Sequence, residues 1–275
     1  MGFWERVAKV DRRVLYLLLA LAVALPLVIR PGASIRVSEP VRSAFAAVDR
    51  LPPGAVVMIS IDYDPSSAPE LQPMLIALLR HCFSKGVKVI VTGQLALGLP
   101  MAEIALNEVA PEMAAEYGRD YVNIGYRPGY AAMMVGIGRE IRDFFRTDYR
   151  GVPVDSFAFM RSVHSYRDIA LLVSLAHGAV ADAWIQFVGG RFDQEIIVGV
   201  TGVNAPGMYQ YLQSGQIAGL VGGLQGAAEY ETLIARPGSA TLGMPAQAWA
   251  HGLIILLLIV GNLGYLLSRR RGEKR

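Results

Sequence analysis

Residues 56–74, VVMISIDYDPSSAPELQPM, run from an unbroken apolar segment into two aspartates, a Pro/Ser-rich turn and then a stretch with helical spacing. An apolar run of this length that does not alternate with polar residues is the pattern of a strand buried on both faces. The same unit recurs. Strands are expected at Ala55–Asp62, Val87–Thr92, Asp120–Gly125, Asp168–Ala176 and Glu195–Thr201. Between them, helices are expected at Pro69–Phe83, Pro100–Tyr117, Gly129–Phe145 and Ala179–Val188, with an amphipathic helix Glu39–Leu51 ahead of the first strand. Leu71, Leu75, Leu78, Leu79 and Cys82 share one face of the first, and Ile104, Leu106, Val109 and Met113 one face of the second. Alternating strands and helices predict an α/β domain, a Rossmann-like parallel sheet of about five strands with helices on both faces.

The ends of the chain have a different character. The 275 residues are 53% hydrophobic, with mean hydropathy +0.37, and the apolar excess is concentrated in two places. Residues 249–267, WAHGLIILLLIVGNLGYLL, carry no charge and are long enough as a helix to cross a hydrocarbon core of about 30 Å. Trp249 and Tyr265 suit the two interfaces. Residues 14–29, VLYLLLALAVALPLVI, are also uncharged but short for a span. Ala20-Leu21-Ala22 and Ala22-Val23-Ala24 fit a signal-peptidase site, yet they lie inside the apolar core, which favours an uncleaved anchor over a signal peptide. The expected order is a cytoplasmic segment 1–13, an anchor or signal peptide 14–29, an extracytoplasmic α/β domain 30–248, a transmembrane helix 249–268 and a basic cytoplasmic tail 269–275. Orientation rests on the second span. Arg236 alone precedes it closely, whereas Arg269, Arg270, Arg271, Lys274 and Arg275 follow.

The pI near 9.0 belongs to these flanks. Residues 1–29 carry +2 and residues 269–275 carry +4, so a total of +3 leaves the intervening domain at about −3. That distribution suits an anionic lipid bilayer and argues against nucleic acid. Cys82 is the single cysteine, so no intrachain disulfide is possible.

In an open parallel sheet, ligands bind beyond the carboxyl ends of the strands. Those ends bring Asp62, Asp64, Gln94, Tyr126, Arg127, His177, Thr201 and Asn204 forward as ligand-binding candidates. Asp62-x-Asp64 has the oxygen chemistry for a hard cation or for acid/base work. Both carboxylates reach one ion only if the chain has already turned, which Pro65-Ser66-Ser67 makes possible. Strand-end and helix-cap aspartates are the plainer reading. Tyr126-Arg127-Pro128-Gly129 opens a helix and offers an arginine to an anion. No GxxxxGK[ST] loop is present, Gly136-Ile-Gly138 lacks a third glycine, and there is no GxSxG elbow. His81, His164 and His251 make no metal spacing with His177, and Cys82 sits on an apolar helix face. No metal centre is assigned, and the sequence names no cofactor.

Pro206–Ile234 departs from the alternation, with two helical pieces rich in small residues. Gly219, Gly222, Gly223 and Gly226, with Tyr209, Tyr211 and Tyr230, are interface candidates, because glycine costs roughly 1 kcal/mol in a helix interior and close backbone approach is one reason to keep it. The approaching partner is the domain's own sheet, a second subunit or the membrane surface. The stretches Asp62-Tyr-Asp-Pro-Ser66, Tyr211-Leu-Gln-Ser-Gly-Gln216 and Gly222-Gly-Leu-Gln-Gly-Ala-Ala-Glu-Tyr-Glu231 resemble an uncharacterised family of prokaryotic proteins with an α/β domain between two membrane segments. The resemblance implies architecture and brings no activity. The expectation is a membrane-anchored, non-catalytic scaffold or interaction domain that forms homo-oligomers or docks with other membrane proteins; the alternative is a metal-dependent enzyme or small-ligand-binding protein using Asp62, Asp64, Arg127 and His177.

Overall fold

The computed structural model describes residues 11–32 and 34–272, with side chains as far as Leu267. Arg6, Lys9, most of the 1–13 segment, Lys274 and Arg275 lie outside the described residues, as do the side chains of Arg269, Arg270 and Arg271. The chain divides into two compact units, one made of its two ends and one spanning Ile35–Thr241.

The terminal unit holds two apolar helices. Helix α1 (Arg12–Ile29) starts at Asp11, whose carboxylate accepts the Arg13 N–H, and ends where Arg30 turns left-handed with φ 49°. The C-terminal helix, Ser239–Gly272, runs well beyond the expected span at both ends. Both are long and apolar enough to cross a membrane, with mean hydropathy 2.1 and 2.0 over their spans.

The central unit is an α/β domain. Its elements are α2 (Glu39–Asp49), β1 (Val56–Asp62), α3 (Ala68–Ser84), β2 (Lys88–Gly93), α4 (Gly98–Glu112), β3 (Tyr121–Tyr126), α5 (Tyr130–Ile137), β4 (Leu171–Ala176), α6 (Val180–Trp184), β5 (Ile196–Val200), α7 (Ala205–Gln213), β6 (Gly219–Gly222) and α8 (Gly223–Leu233). The C-terminal helix is α9. All strand pairs are parallel, in the order β3-β2-β1-β4-β5-β6. This is the doubly wound order, whose direction reverses between β1 and β4. Every residue of β1, β4 and β5 is buried, as unbroken apolar runs require. One face carries α3, packed against α4 and α8, with α2 lying on β6 and α8. The other carries Met133, Met134, Ile137, Phe145, Met160 and Trp184 against Met58, Ile90, Val122, Leu172 and Val198.

Three expectations need correcting. The sheet has six strands, because Gly219–Gly222 forms β6 where helix was expected. The reason is contact: a Cβ on Gly219 would stand 2.3 Å from the Ala44 nitrogen of α2, so only glycine lets that helix lie on the strand. The expected helix Gly129–Phe145 is cut to Tyr130–Ile137, because the rings of Phe144 and Phe192 occupy the space above Gly136 and Gly138 and the Ile141 N–H leaves the helix for the His164 carbonyl at 2.7 Å. A chain of 3₁₀ turns follows, held by Arg142, which donates to Met160 O and Val163 O and pairs with Glu140 and Asp155. Finally, β4 begins at Leu171, since Ser165 and Asp168 form a capping box around the turn Tyr166–Asp168. Smaller shifts are found on α4, which ends at Glu112 and leaves Ile104 54% exposed.

Candidate functional site

The carboxyl ends of β1 and β4 flank the switch point, and Asp62 ends β1 there. Period-two geometry puts Ser60 on the same face as Asp62, and the Ser60 hydroxyl donates to Oδ2 at 2.7 Å. Trp184 at the end of α6 donates its indole N–H to the same oxygen at 3.0 Å. Oδ1 accepts the Gln94 backbone N–H at 2.5 Å, from the residue just past β2. Asp62 therefore joins β1, β2 and α6 through one fully buried carboxylate. Burial pushes its pKa up to about 6, and the three donors, with His177, restrain that rise. The site is sealed. With no exposed surface, the carboxylate reaches protein donors and nothing else.

Asp64 is differently placed. Its Oδ1 accepts the Ser66 N–H at 2.9 Å and the Ser66 hydroxyl, an Asx turn that leads into α3 and holds its pKa below the usual carboxylate range. Asp64 thus holds the Pro65-Ser66-Ser67 turn ahead of α3, whose N-cap position is Ser67. Among the described residues, no group of three or more His, Cys, Asp and Glu side chains is placed to hold a metal.

The remaining candidates are distributed along the same edge. Gln94 is buried, with Nε2 4.0 Å from the Met133 sulfur and Oε1 without a hydrogen-bond partner. Tyr126 is half-buried, and its carbonyl accepts from Arg127 at 3.2 Å. Arg127 also donates to Phe144 O at 2.9 Å and lies 5.6 Å from the Phe145 ring centre, so its guanidinium ties down the segment after β3. His177 follows β4, and its backbone N–H donates to the Asp62 carbonyl at 3.1 Å. The Thr201 carbonyl accepts the N–H groups of Asn204 and Ala205, which closes the turn into α7. Asn204 occupies the N-cap position without a side-chain cap bond.

Sequence reasoning missed three residues here. Ser60 had a signal in the strand period. Trp184 and Glu70 had none, being brought in from distant chain: Glu70 accepts the Gly202 N–H at 2.7 Å and links the start of α3 to the loop after β5.

The glycine-rich segment turns largely inward. A Cβ on Gly223, at φ +62°, would stand 3.0 Å from the Gly202 Cα, and one on Gly226 3.1 Å from the Val221 carbonyl carbon. Gly222 faces the Ala205 Cβ. Tyr230 is buried, and its hydroxyl lies 2.9 Å from His81 Nδ1. Tyr211 donates to Asp182 at 2.9 Å. Of the three partners named for the stripe, the domain's own sheet and helices account for Gly219, Gly223 and Gly226. Tyr209 differs, being 45% exposed on α7, and Val203 beside the same helix start is 89% exposed.

Comparison with protein-family models, with curated proteins and with solved structures finds no match to this chain.

Proposed function

We propose that the protein is a membrane-anchored, non-catalytic α/β domain that self-associates or docks with other membrane proteins. The domain lies outside the cytoplasm and the C-terminus inside, following the excess of Lys and Arg after the second apolar span. One observation carries this reading: four charged groups at the strand ends are taken up by partners within the domain, while apolar side chains stand open at the β5–α7 corner. Asp62, Asp64, Glu70 and Arg127 all have protein partners, whereas Val203 and Tyr209 project into solvent. Aromatic and apolar side chains in such a position are typical interface anchors.

The position of the glycines changes the test. Leucine at Gly222 or Gly223 meets Ala205 or Gly202 and disturbs the domain itself, so the informative variants are Val203→Asp and Tyr209→Asp. Light scattering in mild detergent is expected to give a mass of two or more copies, or one copy with a copurifying protein, and both variants should reduce it with Tm unchanged. A wild-type particle that is monomeric and free of other protein removes the proposal.

A second reading, a small-ligand or metal-dependent site at the switch point, is favoured by the unpartnered Gln94 Oε1 beside Asp62. Its signature is a thermal shift with a divalent ion that is lost in Asp64→Asn.

A further inference from the structure

A cavity of about 760 Å³ lies at the opposite rim of the sheet, by the amino ends of β5 and β6. Its size falls in the range of small-molecule sites, roughly 300–1,000 Å³. Local backbone makes the space. Helix α6 passes into a π turn, Ile185–Gly189, a widened form that is frequent at functional sites. Gly189 and Gly190 then leave the wall without side chains, and Asp193, left-handed at φ 54°, turns the chain back toward β5. Gly215 forms the facing wall at φ +73°, with nothing within 4 Å of its missing Cβ. Phe192 is held over Gly138, which fixes the apolar side.

The charge on this cavity is uneven. Arg167 and Arg191 line it, both are exposed, and neither is ion-paired among the described residues. The Arg191 guanidinium lies 5.9 Å from the Phe192 ring centre, a cation–π contact that keeps it at the wall. Of the two carboxylates, Glu195 is paired with Arg50, which leaves Asp193 as the single unpaired acid. Two free guanidiniums suit the doubly charged head of a phosphate monoester, and guanidinium is the side chain best matched to phosphate oxygens. Asp193 and the Gln216 amide add an acceptor and a donor suited to hydroxyl groups.

We infer that this cavity binds a phosphorylated polyol or sugar, with Arg167 and Arg191 on the phosphate and Asp193 and Gln216 on the hydroxyls. This goes beyond the docking role and uses a different edge of the sheet.

Calorimetric titration of the full chain in phosphatidylcholine nanodiscs tests it, with glucose 6-phosphate, glycerol 3-phosphate and glucose as probes. At least one phosphate ester is expected to saturate, glucose should bind at least about tenfold more weakly, and the Arg167→Ala/Arg191→Ala double variant should lose about tenfold or more. Both side chains are exposed, so the double variant keeps its Tm and its particle mass. Nanodiscs containing phosphatidylglycerol separate the sources: competition with the soluble ester assigns the phosphate to a lipid headgroup, and its absence to a free metabolite. No saturable binding of either ester in plain or phosphatidylglycerol nanodiscs, or equal binding by the double variant, overturns the inference. Neither result touches the assembly assay on Val203 and Tyr209.

Discussion

Asp62 ties together three parts of the domain, because three separately placed donors meet on it. Its pKa is raised to about 6 from the ordinary 3.8. An acid held this way binds its proton more tightly when folded, so the folded state takes up more protons than the unfolded one between about pH 4 and pH 6, and this group's contribution to stability falls as pH rises through that window. The shift corresponds to a change on the order of 3 kcal/mol. NMR titration of the Asp62 carboxyl carbon is expected to show a midpoint near 6, and Asp62→Asn should flatten that part of the stability profile. Trp184→Phe leaves Oδ2 one donor short in a buried site and should cost roughly 1–3 kcal/mol by urea unfolding. The sequence indicated Asp62 as a strand end. Its partner Trp184 was not legible there, being 122 positions away.

Among the elements, strands β1 to β5 were readable because each is a largely apolar run of the right length, rich in Val and Ile in β1, β2 and β5. Half of β6 is glycine, which weakens strand preference, so its identity is set by tertiary contact with α2 rather than by its own residues. Gly219→Ala is therefore expected to lower stability by roughly 1–3 kcal/mol, visible as an earlier urea midpoint, since Ala44 backbone must move to admit the methyl group. Helix α5 is shorter than its apolar spacing suggests for a related reason: Ile141, Phe144 and Phe145 continue the period, but Phe144 packs over Gly136 and Phe192 over Gly138. Glu231 marks another element boundary. Its buried carboxylate accepts the N–H groups of Gly238, Ala240 and Thr241 and the Thr241 hydroxyl, so it satisfies the first turn of α9. Glu231→Ala strands those donors and should cost roughly 1–3 kcal/mol, read as a drop in the thermal midpoint of the central domain.

For the whole molecule, the amphiphilic division was the plainest feature of the sequence: two uncharged apolar helices and, between them, a domain of about −3. What the strand-end crescent does was not legible, because whether polar side chains face a ligand or one another depends on packing across the sheet. Topology has a direct readout. Cys82 is buried and its thiol is pushed up to about 12, so it resists maleimide reagents, and a second cysteine at Ile104, exposed on α4 and away from the β5–α7 corner, reports on one side of the membrane. In intact cells or spheroplasts, Ile104→Cys is expected to react with an impermeant maleimide. Assembly through the β5–α7 corner is the claim on which the functional account stands, and the particle mass of the purified full chain in nanodiscs tests it most directly. The account predicts at least two copies, or one copy with a bound protein, reduced to a single chain by Tyr209→Asp; a lone wild-type chain with no partner contradicts it.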